Sequence, residues 1–149
     1  KGCREITSLI AIPFDVVCCP VGTAGTLAGI TLSLKPGQHS IGFSVLHAPG
    51  YHESEVKNWI THFHINPFLN FQIENSYHFG GYANTSPELL AFISDFESRH
   101  RIPLEPVYSG KMMFGLMDMI ARGKFPEKSK IIAVHTGGIS SWQLAAGRL

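Results

Sequence analysis

Residues 18–30 read CCPVGTAGTLAGI. Just before them, Phe14, Val16 and Val17 join Cys18 and Cys19 in an apolar run with the length of a buried strand. The run breaks at Pro20 into Gly22, Thr23, Ala24, Gly25 and Thr26, and an apolar segment of helical character, residues 27–34, follows. A strand, a small-residue loop and a helix start together make an anion site, because unpaired backbone N–H groups converge there. Glycine lets the backbone come close to a phosphate, and Thr23 and Thr26 add hydroxyl donors. The loop carries no lysine in the G-x-x-x-x-G-K-[ST] position, and its glycine spacing is not the dinucleotide G-x-G-x-x-G. The plainer alternative is a tight strand-to-helix turn that binds nothing.

Outward from this loop the chain alternates. Ile6, Leu9 and Ile10 have helical spacing, stopped by Pro13. After the turn at Lys35, Pro36 and Gly37, residues 40–46 (SIGFSVL) read as a second strand. Residues 53–63 form a helix with Val56, Trp59, Ile60 and Phe63 on one face. Residues 70–73 are a short strand. Residues 74–84 (ENSYHFGGYAN) are an irregular Gly- and Tyr-rich loop of the kind that carries function. Ser86 and Pro87 cap and open the next helix, whose apolar face is Leu89, Leu90, Ile93 and Phe96. Pro103 and Pro106 force an extended entry into the longest helix, residues 111–121, which ends at Gly123. Residues 131–134 are the last strand, and His135, Thr136, Gly137 and Gly138 are a turn at its end. Strands alternating with helices predict an α/β fold: a three-layer, mostly parallel sheet with helices on both faces. Ligands of such sheets sit beyond the C-terminal strand ends, where the 22–26 loop and the 135–138 turn both fall.

Composition narrows the classes of function. The 149 residues carry a net charge of +1 with no basic block, which gives no reason to expect nucleic acid. No apolar run is long enough to cross a bilayer and no signal peptide opens the sequence, so a soluble, cytoplasmic chain is expected. Cys18 and Cys19, neighbours on a strand, face opposite ways and cannot bridge; reduced thiols fit a reducing compartment. The eight histidines follow no metal-ligand spacing, so no metal is expected, and His62 and His64 are read as helix-end residues. Charged residues are only 15% of the chain, below the usual quarter or so. Either much of the exterior is covered by another domain, segment or subunit, or the surface is neutral and rich in Gly and Ser. Met112, Met113, Met117 and Met119 are read as gap-filling core.

Five stretches then occur in order: residues 2–6 (GCREI), 14–30, 77–90 (YHFGGYANTSPELL), 104–115 (LEPVYSGKMMFG) and 131–138 (IIAVHTGG). Together they resemble pyridoxal-phosphate enzymes of the tryptophan synthase β-like fold, specifically the 1-aminocyclopropane-1-carboxylate deaminase and D-cysteine desulfhydrase group. The resemblance implies pyridoxal 5'-phosphate as cofactor, with Gly22, Thr23, Ala24, Gly25 and Thr26 around its phosphate. Tyr82 and Tyr108 stand where the group has two active-site tyrosines that touch substrate and move protons. Ser109 stands where the group places the partner of the pyridine nitrogen, and residues 136–138 line the same face of the ring. Read without the resemblance, Tyr82 is an aromatic plug and Tyr108 and Ser109 are helix-entry residues. The deaminases carry glutamate at the position of Ser109. An uncharged hydroxyl cannot hold a proton on the ring nitrogen as a carboxylate does, which makes a weaker electron sink. The resemblance therefore favours α,β-elimination from a small amino acid, giving pyruvate and ammonia, over cyclopropane ring opening. A non-catalytic phospholigand-binding domain is the further alternative. For a tyrosine to serve as general acid or base, its pKa is expected to be lowered by its surroundings.

The family is longer, and its Schiff-base lysine lies in an N-terminal part. None of Lys1, Lys35, Lys57, Lys111, Lys124, Lys128 or Lys130 matches that position. Residues 1–149 are thus expected to be the C-terminal part of a pyridoxal-phosphate-binding large domain, inactive alone, from a parent that is a homodimer.

Overall fold

The computed structural model describes residues 2–63 and 70–138. Its centre is the apolar run read above. Strand β1 (Val16–Val21) is buried at every position and pairs in parallel on both sides. On one side is β2 (His39–Ser44), from Val16 against His39 to Val21 against Ser44; on the other is β4 (Ile131–Ala133). Strand β3 (Phe71–Glu74) adds to β2, also in parallel, giving the order β3-β2-β1-β4. A strand flanked on both edges and covered on both faces must be apolar throughout, which explains a VVCCPV sequence without alternation.

The two faces are separated by strand periodicity. Val17, Cys19 and Val21 point to helices α1 (Gly25–Thr31) and α2 (Tyr51–His62), packing with Leu27, Ile30, Val56 and Ile60. Val16 and Cys18 point the other way, to Met112, Leu116 and Met119 of α4 (Ser109–Ala121). Helix α3 (Pro87–His100) packs behind α4 through Leu89, Ile93, Phe96 and Leu104. The layers are therefore helix, parallel sheet, helix. Cys18 and Cys19 do face opposite sides, and burial pushes both thiols upward, Cys18 to about 12.

Several expectations shift. Residues 2–9 form two 3-10 turns (Gly2–Arg4 and Ile6–Leu9) rather than an α-helix. They bury no residue fully, and the Ser8 hydroxyl takes the Glu5 carbonyl at 2.6 Å, so no α-ladder is selected. Helix α1 begins at Gly25 and ends at Thr31, short of residue 34. Ser33 Oγ donates to the Ile30 carbonyl at 2.7 Å, consistent with closure of its last turn. The longest helix is α3, with 14 residues to the 13 of α4; its Ser86 cap accepts from Leu89 N–H at 3.1 Å, as expected, with Pro87 next. Met117 is 41% exposed and is not core, whereas Met112 and Met119 are. His64 lies outside the described residues.

Candidate active site

Because all described strand pairs are parallel, the loops following β1, β2, β3 and β4 leave the same edge of the sheet. The loop after β1 is residues 22–24. Ala24 caps α1 in the left-handed region (φ 63°, ψ −10°), a backbone state that a small side chain tolerates better than a branched one. Among the described residues no hydrogen bond takes the N–H groups of Thr23, Ala24, Gly25 or Thr26, so four donors remain available at one turn. A cavity of about 160 Å³ opens on them, lined by Gly22, Thr23, Ala24, Thr26, Tyr108 and Thr136, and no acidic side chain reaches it.

Gly22 makes a close approach to Tyr108. A Cβ there would stand 3.2 Å from Tyr108 Cε1 and 3.6 Å from its hydroxyl, so the phenol lies directly on the glycine backbone. From behind, His52 of α2 holds the same residue: its ring is fully buried and Nε2 lies 3.1 Å from the Gly22 carbonyl. A carbonyl only accepts, so Nε2 carries the proton and the buried Nδ1 has no partner.

Tyr108 caps α4 and Tyr82 sits in the loop after β3. Their rings meet edge to face with centroids 5.9 Å apart. Tyr82 is 57% exposed and Tyr108 half-buried. The Tyr108 phenol is pushed up to about 12, first by hydrogen bonding with Tyr82, then by burial and by Glu105. This reverses the expectation of a lowered value: in this structure Tyr108 stays protonated at neutral pH and has a proton to give. Ser109 is fully buried beside it; its Oγ accepts the Glu105 N–H at 3.0 Å and lies 3.4 Å from the Glu105 carbonyl.

Two charged residues in the 104–115 stretch shape this corner without having been assigned a role from sequence. Glu105, only 3% exposed, receives N–H groups of Val107 at 2.7 Å and Tyr108 at 2.8 Å, and that of Ser109. A carboxylate there satisfies the first-turn donors of α4 and complements the helix dipole. Lys111 is fully buried, and its ammonium donates to the carbonyls of His78 at 2.8 Å and Gly81 at 2.7 Å. Burial lowers its pKa while the Glu105 charge opposes that. The loop it holds also stacks His78 on His47, centroids 4.5 Å apart. Neither Glu105 nor Lys111 stands at a spacing that marks a caged charge, and His52 is a lone histidine in a helix pattern. Only three-dimensional contact singles them out.

The last turn closes the group. His135 Nε2 donates to the Pro103 carbonyl at 2.9 Å and its Nδ1 accepts from Gly137 N–H at 3.0 Å, while a Cβ on Gly138 would meet Glu105 Cγ at 3.3 Å. The structure thus brings Gly22, Thr23, Ala24, Gly25, Thr26, Tyr108, Tyr82 and Thr136 to one corner, with Ser109 buried just beneath.

In a parallel sheet of this kind, the loop at the C-terminal end of the central strand is a place where ligands bind. Residues 3–137 match the family model described as pyridoxal-phosphate dependent enzyme, and the chain belongs to that family. It is 35% identical over 136 residues to the bifunctional D-cysteine desulfhydrase/1-aminocyclopropane-1-carboxylate deaminase, mitochondrial, of Arabidopsis thaliana, covering 86% of this chain and 33% of that protein. It is 31% identical over 135 residues to the D-cysteine desulfhydrase of Yersinia pestis (85% and 41% covered). A crystal structure of an ACC deaminase homologue superposes with a TM-score of 0.83 at 28% identity, over 99% of this chain and 47% of that one. The chain therefore spans less than half the length of these relatives. Among the described residues, no helix is long and apolar enough to cross a membrane and no His, Cys, Asp and Glu cluster could hold a metal ion.

Proposed function

We propose that these residues are the C-terminal, cofactor-binding part of a pyridoxal-phosphate-dependent lyase that performs D-cysteine desulfhydrase-like α,β-elimination on a small amino acid, releasing pyruvate and ammonia. The observation that carries this reading is the seating of Tyr108 on Gly22, which joins the phosphate-suited loop to the paired phenols. The residues suit the cofactor: the loop offers four N–H groups unpaired among the described residues, and Thr23 and Thr26 line a small cavity free of acidic groups. Gly22, Thr23, Ala24, Gly25 and Thr26 would hold the phosphate. Pyridoxal phosphate supplies an electron sink for the carbanion formed at the substrate α-carbon.

This chain's own residues bind, orient and move protons. Ser109, buried just beneath the corner with its Oγ 3.4 Å from the Glu105 carbonyl, would be the residue to offer its hydroxyl to the ring nitrogen. Tyr108, protonated at neutral pH, is suited to give a proton to a leaving group, and Tyr82, in ring contact with it, would return a proton to it. The lysine that anchors the cofactor is assigned to the part of the relatives' length that this chain does not span. Lys111 is already committed to two carbonyls. The homologous names also support cyclopropane-ring deamination as a second activity, which an uncharged Ser109 disfavours. A homodimer in a reducing, cytoplasmic compartment is proposed for the parent, in line with the separated buried thiols.

The experiment is to load the full-length protein with pyridoxal phosphate and assay pyruvate release. D-cysteine-dependent pyruvate together with a bound-cofactor absorbance band supports the reading. Absence of both overturns it.

A further inference from the structure

The loop that presents Tyr82 is anchored at its start by His78 stacked on His47 and Phe79 against Phe114, and beyond these by contacts to its backbone. Phe79 (φ 54°), Gly80 (φ 89°), Gly81 (φ 119°) and Ala83 (φ 59°) all lie at positive φ, a conformation that side-chain-bearing residues adopt only when the surroundings impose it. Tyr82 itself, more than half exposed, packs too little to impose anything. The constraint comes from beneath. The buried Lys111 ammonium reaches the His78 and Gly81 carbonyls, the two ends of one tight turn that is also closed by the Gly81 N–H to the His78 carbonyl at 3.0 Å. Asn84 Nδ2 and His78 Nδ1 tie down Gly80 from either side, at 3.0 Å each. Tyr82 is the next residue after this turn.

Lys111 lies three residues after Tyr108 and shares its helix, and Glu105 fixes the backbone of Tyr108 while lying close enough to favour the Lys111 charge. A buried lysine is costly unless its charge is satisfied, and here every acceptor it uses belongs to the tyrosine loop. We infer that Lys111 is a positioning residue: by gripping the His78 and Gly81 carbonyls it sets Tyr82 against Tyr108, so that the two phenols are placed by one helix turn. The catalytic meaning of that placement rests on the tyrosine roles proposed above, whereas the placement itself does not.

The test compares the full-length protein with its Lys111→Met and Lys111→Arg variants. Met keeps the bulk and loses the donors; Arg keeps donors and charge. In the cofactor-free protein, Lys111→Met is expected to speed amide exchange at residues 78–84 by at least about tenfold, with β1 and α3 unchanged and Lys111→Arg recovering most of the protection. The Tyr108 phenol should fall from about 12 toward 10 in Lys111→Met as it loses its Tyr82 neighbour, while Tyr77 stays at about 12. In the wild type, a slowly exchanging lysine ammonium signal in nitrogen-15 spectra is expected, absent from both variants, which keeps the inference testable even if Lys111→Met does not fold. Unchanged exchange at 78–84 in a folded Lys111→Met protein, or no protected ammonium in the wild type, overturns the inference. A loosened loop with unaltered D-cysteine turnover upholds it and counts instead against the catalytic reading of Tyr82.

Discussion

Tyr108 touches both halves of the corner: Gly22 on one side and Tyr82 on the other. Its raised pKa defines what it can do. A phenol at about 12 holds its proton at neutral pH, and under the donor role proposed above its removal should lower turnover without emptying the cofactor site. Tyr108→Phe in the full-length protein is expected to reduce kcat for D-cysteine by about 10²- to 10⁴-fold, the range of a lost acid-base group, with KM and cofactor affinity little changed. Stopped-turnover kinetics and cofactor titration measure both. The tyrosines and the 22–26 loop were legible in the sequence because their motifs are local and stand in family order. Glu105, Lys111 and His52 were not, because what distinguishes them is burial against carbonyls and N–H groups as many as 33 residues away, which no spacing encodes.

At the scale of elements, the sheet was legible for a different reason. The apolar run up to Cys19 reads as a buried strand, and β1 continues through the expected break at Pro20 to Val21; once β1 is central its neighbours must cover both faces. Helix ends were less so. Back-bonding by Ser8 and Ser33 accompanies the 3-10 start and the early end of α1, and these bonds depend on geometry rather than on apolar period. Helix α4 packs closely on the sheet. Gly115 faces the Tyr77 ring and Phe43 so closely that a Cβ there would come within 2.7 and 2.8 Å of them. Gly115→Ala is therefore expected to destabilise the fold by about 1–3 kcal/mol through overpacking, despite alanine's better helix propensity. Chemical denaturation of the full-length protein, fitted at constant slope, checks the direction and size.

Across the whole molecule, two half-buried phenols link stability to alkaline pH. Tyr77 is raised to about 12 by burial and by its 2.6 Å hydrogen bond to Asp118, and Tyr108 to about 12 at the opposite end of α4. Each favours the neutral form in the folded state over its ordinary value near 10, so the stability they contribute is fully present below pH 10 and is lost as pH rises toward 12. Thermal melts across that window should show a falling midpoint, flattened in Tyr77→Phe and Tyr108→Phe; a midpoint that does not move between pH 10 and 12 would contradict it. The reading proposed above places the loop amides and the phenols of the corner in one binding site. Amide exchange of the full-length protein, with and without pyridoxal phosphate, tests it most directly. Protection gained together at residues 22–27 and at residues 78–84 is the result expected. Protection that leaves residues 22–27 untouched while the cofactor is bound would contradict it.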